Sequence, residues 1–326
     1  MNIELYTKYL AHRYDLKIKT QLQDEVIFGE LIDKNTGKIY KIQDSIPRII
    51  EGENYTENFG FQWNKFRESQ LDSFSGRNLS FNRFWNHTKW KPKDMVGKKV
   101  LEIGSGAGRF TEILLDAGCE LVTFDFSNAV DANLKNNSAK GRFLILQASI
   151  YDLPFKFEAF DYVFCYGVLQ HLPEPELGLQ RIYKYLKPHG KMSVDYYLKT
   201  KKLIPHNQSK YFWRRWTTKM KPETLYKVIS FYMPIWLPID SLIRKVPVLG
   251  PKLLSVMLIP CWNYLGWGFT YKERLEWAIM DTFDALGAQY DYPKTKEELQ
   301  KDLDVLSATS YEVFYGSNGL VGNVIK

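Results

Sequence analysis

Cysteine is scarce: Cys119, Cys165 and Cys261 are the only three in 326 residues, widely and irregularly spaced. An odd, scattered set forms neither a disulfide framework nor a metal cluster, and it fits a reducing compartment. The opening stretch MNIELYTKYLAHRYD mixes charges from its start and lacks the apolar segment of a secretory signal. Long apolar runs are missing too. The longest uncharged stretch, Leu253 to Thr270, is interrupted by Pro260 and by polar and glycine positions, short of the ~20 apolar residues that span a bilayer. Internal repeats and low-complexity tracts are absent. With 45% apolar and 25% charged residues, the expectation is a globular, cytoplasmic chain with one large core and room for an elaboration.

What the chain has in excess is positive charge, and it is local. Between Lys199 and Lys252 twelve Lys or Arg face two acids, so that segment carries +10 of a net +7 and the remainder is slightly acidic at −3. Local charge argues for a local partner.

Residues 97–198 alternate between apolar runs (KKVLEIG, ELVTFDFS, GRFLILQAS, FDYVFCYGVL, KMSVDYYL) and helical stretches such as GRFTEILLDAG. That alternation means an α/β fold with a parallel sheet covered on both faces. The other segments organise around it. Residues 1–54 read as a small β-rich module, with a hairpin turn at DKNTGK, and 55–96 as an aromatic helical cap and linker. Residues 199–270 read as a basic, aromatic helical lid, too long for an ordinary loop. Residues 271–326 supply a helix and a closing hairpin.

The stretch VLEIGSGAGRF joins a strand to a helix through Gly104, Gly106 and Gly108. Glycines there let a ligand approach the backbone at the positive end of the helix. A dinucleotide loop wants its third glycine one place later, where Arg109 stands, and Glu102 would repel a pyrophosphate. An acid in that position can instead receive an ammonium group, as on the amino-acid end of S-adenosylmethionine. Asp125, ending the next strand, is placed to accept bonds from ribose hydroxyls. A turn carboxylate is the plain alternative.

Together VLEIGSGAGRF, VTFDFS, FDYVFCYGVLQHLPEP and YLKPHGKM resemble the successive motifs of class I S-adenosylmethionine-dependent methyltransferases, roughly over 97–198. The resemblance implies a Rossmann-like, doubly wound, mostly parallel seven-stranded sheet. It implies that Glu102, Gly104, Gly106 and Gly108 line the methionine side, that Asp125 holds the ribose and that Phe126 flanks the adenine, with Ser105 and Ser127 also in the cofactor site. Ser149, Ile150 and Tyr166 complete the implied cofactor set. One departure stands out, because members usually carry an acid where this chain has Ser149. GELIDKNTGKIYKIQDSIPRII is similar to a zinc-ribbon segment preceding some bacterial members, with Asp33 and Thr36 where a C-x-x-C would lie, which implies a metal-free relic. FGFQWNKFRESQLD is similar to the segment that follows it, implying a cap through Phe59, Gln62 and Trp63; core packing is the plain alternative.

Methyl transfer from a sulfonium is an in-line displacement in which placing the acceptor supplies about 7–11 kcal/mol. A general base adds about 10²–10⁴-fold for a hydroxyl acceptor. His171, after the fourth strand, is the candidate base; the alternative is a residue that only orients or caps. The reading is methyl transfer to a hydroxyl of a small-molecule, sugar or lipid-linked glycan acceptor. The basic segment is a lid with a solvated face, a peripheral contact with an anionic membrane at its inner face, or a grip on an acidic acceptor. No metal and no nucleic acid is expected. Two rivals stay open: a cofactor-binding scaffold without turnover, and an NAD-dependent oxidoreductase.

Overall fold

The computed structural model describes residues 1–52, 54–199 and 205–326; residues 200–204 of the expected lid lie outside the described residues. In chain order the first elements are α1 (Ile3–Tyr9), β1 (Tyr14–Leu22), β2 (Glu25–Asp33), β3 (Ile39–Gln43), β4 (Ile46–Ile49) and α2 (Glu57–Lys65). Then come α3 (Asp72–Ser75), α4 (Leu79–Thr88), α5 (Pro92–Met95), β5 (Lys99–Ile103), α6 (Arg109–Asp116), β6 (Glu120–Asp125) and α7 (Val130–Asn137). After β7 (Phe143–Ala148) and β8 (Phe160–Cys165) follow α8 (Pro175–Lys184) and β9 (Leu186–Tyr196). The chain continues through α9 (Pro205–Thr217), α10 (Pro222–Arg244), α11 (Leu249–Val256) and α12 (Tyr271–Gly287). It ends with α13 (Lys296–Asp304), β10 (Ser310–Gly316) and β11 (Gly319–Ile325).

These elements form two units. Met1–Asn54, Gln70–Lys199 and Tyr290–Lys326 make one; Tyr55–Ser69 and Thr200–Gln289 make the other. The expected boundaries shift accordingly. The cap segment divides after Ser69, and α12 joins the inserted unit instead of the closing strands.

The first unit is built on one eleven-stranded sheet, ordered β1-β2-β3-β4-β7-β6-β5-β8-β9-β11-β10. Seven of these are the strands expected of the α/β core, with β11 antiparallel to β9. The expected separate N-terminal module is instead an extension of that sheet. β1 to β4 form an antiparallel meander, and β4 joins β7 in parallel through Arg48 opposite Gln147 and Ile49 opposite Ala148. Asp33 closes the turn after β2. Its Oδ1 accepts from Asn35 N (2.8 Å) and Thr36 N (3.1 Å), and Oδ2 pairs with Arg13. Among the described residues no group of His, Cys, Asp or Glu is arranged to hold a metal.

Alternation along each strand sends its side chains to two different cores. Leu101 and Ile103 of β5, with Val122 and Phe124 of β6, join the cluster that takes Leu179 and Ile182 from α8 and Leu299 from α13. Val100 and Leu121 pack on the opposite face with Phe84 of α4 and Phe110, Ile113 and Leu114 of α6. Glu102 shares the second face, which brings a carboxyl into an apolar layer.

The second unit is helical. α10 sets Leu225, Ile229, Met233, Trp236 and Leu237 against Ala278, Phe283 and Leu286 of α12, and Phe61 of α2 is packed onto that core. Thr270 and Glu273 cap α12 reciprocally. α10 carries Pro234 and Pro238 in its interior. Pro238 has no N–H for the carbonyl of Pro234, and the Tyr271 hydroxyl donates to that oxygen instead, at 3.1 Å.

Candidate cofactor site at the sheet edge

Register aligns the strand ends that build the site. Ile103 lies opposite Phe124 and Cys165, Phe124 opposite Leu146, and Cys165 opposite Val194. The residues that follow, Gly104, Asp125, Tyr166 and Asp195, therefore emerge side by side. They do so around β5, where the strand order reverses and open α/β sheets bind their ligands.

All three loop glycines adopt left-handed conformations, with φ of 68° at Gly104, 52° at Gly106 and 89° at Gly108. A Cβ on Gly104 would lie 2.1 Å from Val168, and one on Gly108 2.2 Å from Asn133. Only glycine fits either place. The loop is tied to the next strand by Gly104 N and Ser105 N, both donating to Phe124 O.

Asp125 is the hub. Its Oδ2 accepts from Gly106 N at 3.0 Å, and its Oδ1 from Ser127 N at 2.8 Å and Ser127 Oγ at 2.7 Å. Burial lifts its pKa above the ordinary value, opposed by these donors. The Phe126 backbone N–H also acts on this carboxylate, so the turn after β6 and the glycine loop are held by one side chain. Asn54 Nδ2 and Gln147 Nε2 both donate to Phe126 O, fixing the loop after β6.

Glu102 is 1% exposed, and its Oε2 accepts from Thr111 Oγ1 at 2.5 Å and Thr123 Oγ1 at 2.8 Å. Burial pushes its pKa up to about 7. Its Oε1 and the nearby Ser105 Oγ are both buried without a protein partner. Orphaned polar atoms beside a glycine loop fit a ligand that brings its own donors and acceptors, such as the ammonium and carboxylate of an amino-acid end.

Ser149 and Ile150 follow β7; Ser149 Oγ accepts from Tyr151 N at 3.3 Å, and Ile150 is buried. Tyr166 is buried after β8, its hydroxyl 2.8 Å from Ser193 Oγ. His171 lies in the short 3₁₀ turn Leu169–His171, with Nδ1 2.9 Å from Tyr290 O. A carbonyl only accepts, so Nδ1 carries the proton, and in the neutral ring Nε2 is the basic nitrogen. Phe59, Gln62 and Trp63 belong to α2, in the other unit.

Sequence reading missed one group. Arg83 of α4 pairs with Asp195, whose Oδ1 also accepts from Gly167 N at 2.6 Å. The guanidinium stands 5.7 Å from the Phe110 ring and 5.6 Å from the Tyr166 ring, and its Nε is buried without a partner. An acid, Asp195, inside the strand-forming run KMSVDYYL was the available signal. His87, below, accepts from Ser317 N through Nε2, and burial lowers its pKa.

Residues 101–194 match the methyltransferase domain family. The chain is similar to the tRNA U34 carboxymethyltransferase of Ruthia magnifica subsp. Calyptogena magnifica, 30% identical over 42% of this chain and 44% of the relative. It is also similar to the ubiquinone biosynthesis O-methyltransferase of Haemophilus ducreyi, 29% identical over 32% of this chain and 48% of the relative. The chain spans less than half the length of these curated relatives. A solved SAM-dependent methyltransferase from Aquifex aeolicus aligns over 84% of this chain and 98% of its own, with 11% identity and a TM-score of 0.42. Over residues 101–194, less than a third of the chain, the similarity is to the methyltransferase domain family.

Proposed function

We propose that the protein transfers a methyl group from S-adenosylmethionine to a hydroxyl of a small-molecule, sugar or lipid-linked glycan acceptor. The observation that carries the reading is the glycine loop pinned to Asp125, with Glu102 Oε1 and Ser105 Oγ left unpaired beside it. The bound cofactor supplies an activated methyl group on a sulfonium. Glu102 and Ser105 would receive its amino-acid end, and the Asp125 carboxylate would take a ribose hydroxyl. His171 Nε2 accepts the proton of the acceptor hydroxyl. Arg83 Nε, held by Asp195 beside Tyr166, donates to a second polar atom of the acceptor. A hydroxyl acceptor is in keeping with the ubiquinone-pathway O-methyltransferase among the relatives.

Calorimetric titration of S-adenosylmethionine into the full chain tests the reading, with Asp125→Ala and Gly106→Arg variants alongside. Binding lost in both variants supports it; no binding to well-folded protein overturns it. Ser149, standing where an acid is usual, favours a second reading, a cofactor-binding scaffold without turnover. Cofactor binding without formation of S-adenosylhomocysteine across hydroxylated acceptors would favour that scaffold.

A further inference from the structure

We propose that the outer face of α10 and α11 docks on the surface of an anionic phospholipid membrane. α10 is apolar on two opposite sides. The side carrying Leu225, Ile229, Met233 and Trp236 is the core of its unit. The other carries Val228, Phe231, Ile235, Ile239 and Leu242, at helical spacing of three and four. Its members are open to solvent, with Phe231 79%, Ile235 63% and Leu242 64% exposed. α11 repeats the pattern with Leu249, Leu253 and Val256, each more than half exposed. A helix apolar all round is ordinarily buried all round, and a contiguous exposed apolar surface marks an interaction site.

The turn between the two helices adds a second sign. Val246, Pro247 and Val248 are exposed there, and Val248 holds φ at 63°. A β-branched side chain enters that region only under strain. Trp213 of α9 donates its indole N–H to Leu258 O, beyond the end of α11. That is the kind of amphipathic side chain found at membrane interfaces.

Charge selects the occupant. From Lys210 to Lys252 nine Lys or Arg face two acids, and one of those acids, Asp240, is buried and paired with Arg244. Exposed Lys227, Lys245 and Lys252 lie on the same two helices and the turn joining them. A second copy of this chain would set these cations against their own counterparts, which opposes self-association. A bilayer with negative headgroups takes both the apolar stripe and the lysines. Among the described residues no helix is long and apolar enough to cross a membrane, so the contact lies on the surface.

This inference stands apart from the methyl-transfer reading. Sedimentation of the full chain with vesicles of mixed phosphatidylglycerol and phosphatidylcholine tests it, against vesicles of phosphatidylcholine alone. The expected result is preferential binding to the anionic vesicles, reversed by salt. Phe231→Glu with Leu249→Glu abolishes it without lowering the unfolding temperature or the affinity for S-adenosylmethionine. Lys227→Ala, Lys245→Ala and Lys252→Ala together weaken it by on the order of a hundredfold. Absent or headgroup-independent binding, or binding untouched by these substitutions, overturns the proposal. A dimer in sedimentation velocity that the paired glutamates dissociate also overturns it, by giving the face to a second copy.

Discussion

Asp125, Glu102 and His171 do different work, and single substitutions separate them. Asp125→Ala removes the acceptor that ties Gly106 to Ser127 and that, in the proposed reading, takes a ribose hydroxyl. Affinity for S-adenosylmethionine should fall by about 10- to 100-fold, read by calorimetry; an unchanged affinity would move the ribose site elsewhere. Glu102 binds a proton more tightly in the folded chain, with its pKa raised from 4.5 to about 7. Stability therefore falls as pH rises through that window, and above it the ionised carboxylate costs on the order of 3 kcal/mol. Glu102→Gln should leave urea stability near the parent at pH 4.5 and raise it at pH 8, while weakening cofactor binding. Equal effects at both pH values would contradict the titration. His171→Ala should lower turnover by about 10²–10⁴-fold with cofactor affinity intact. A loss of affinity would make it an orienting residue.

At the scale of elements, the loop from β5 to α6 is fixed by what surrounds its glycines. Gly104→Ala combines a left-handed φ with a side chain driven into Val168, so it should cost about 1–3 kcal/mol or more of folding stability, measured by denaturation. Tyr271→Phe leaves the carbonyl of Pro234 without its donor and should cost about 1 kcal/mol. The strand–glycine–helix unit was legible in the sequence because every device in it is local: continuous apolar strands, glycine punctuation, an acid at a strand end. Glu102 was legible as an acid near the loop, but its partners were not, since Thr111 and Thr123 reach it from a helix and a neighbouring strand. The Arg83–Asp195 pair spans 112 residues, and no local pattern announces a pairing of that range. β4 is four residues long and contains Pro47, too short and too irregular to be read as the seam between a meander and a parallel sheet.

At the scale of the molecule, the eleven-stranded sheet puts all the residues of the proposed cofactor site in one unit. Hydrogen exchange of the full chain should therefore slow around 104–109 and 123–128 when S-adenosylmethionine is added. The gain in stability should approach about 2.7 kcal/mol at a hundredfold excess over the dissociation constant. Protection confined to other segments would contradict this placement. The composition of the helical unit was only half legible. The basic stretch after β9 declared an insertion, but nothing in the sequence joined it to residues 55–69. That union is tertiary, made where Phe61 meets Phe283 at 5.6 Å and Tyr226 at 5.7 Å.

The same union makes the two chain segments of the helical unit mutually dependent. A single deletion of residues 200–289 would strip α2 of the helices that cover Phe61 and leave a short aromatic segment facing water. Losing α2 alone would uncover Phe283 and Tyr226. Each piece thus depends on the other for a covered core, and shortening either one exposes aromatic surface to water.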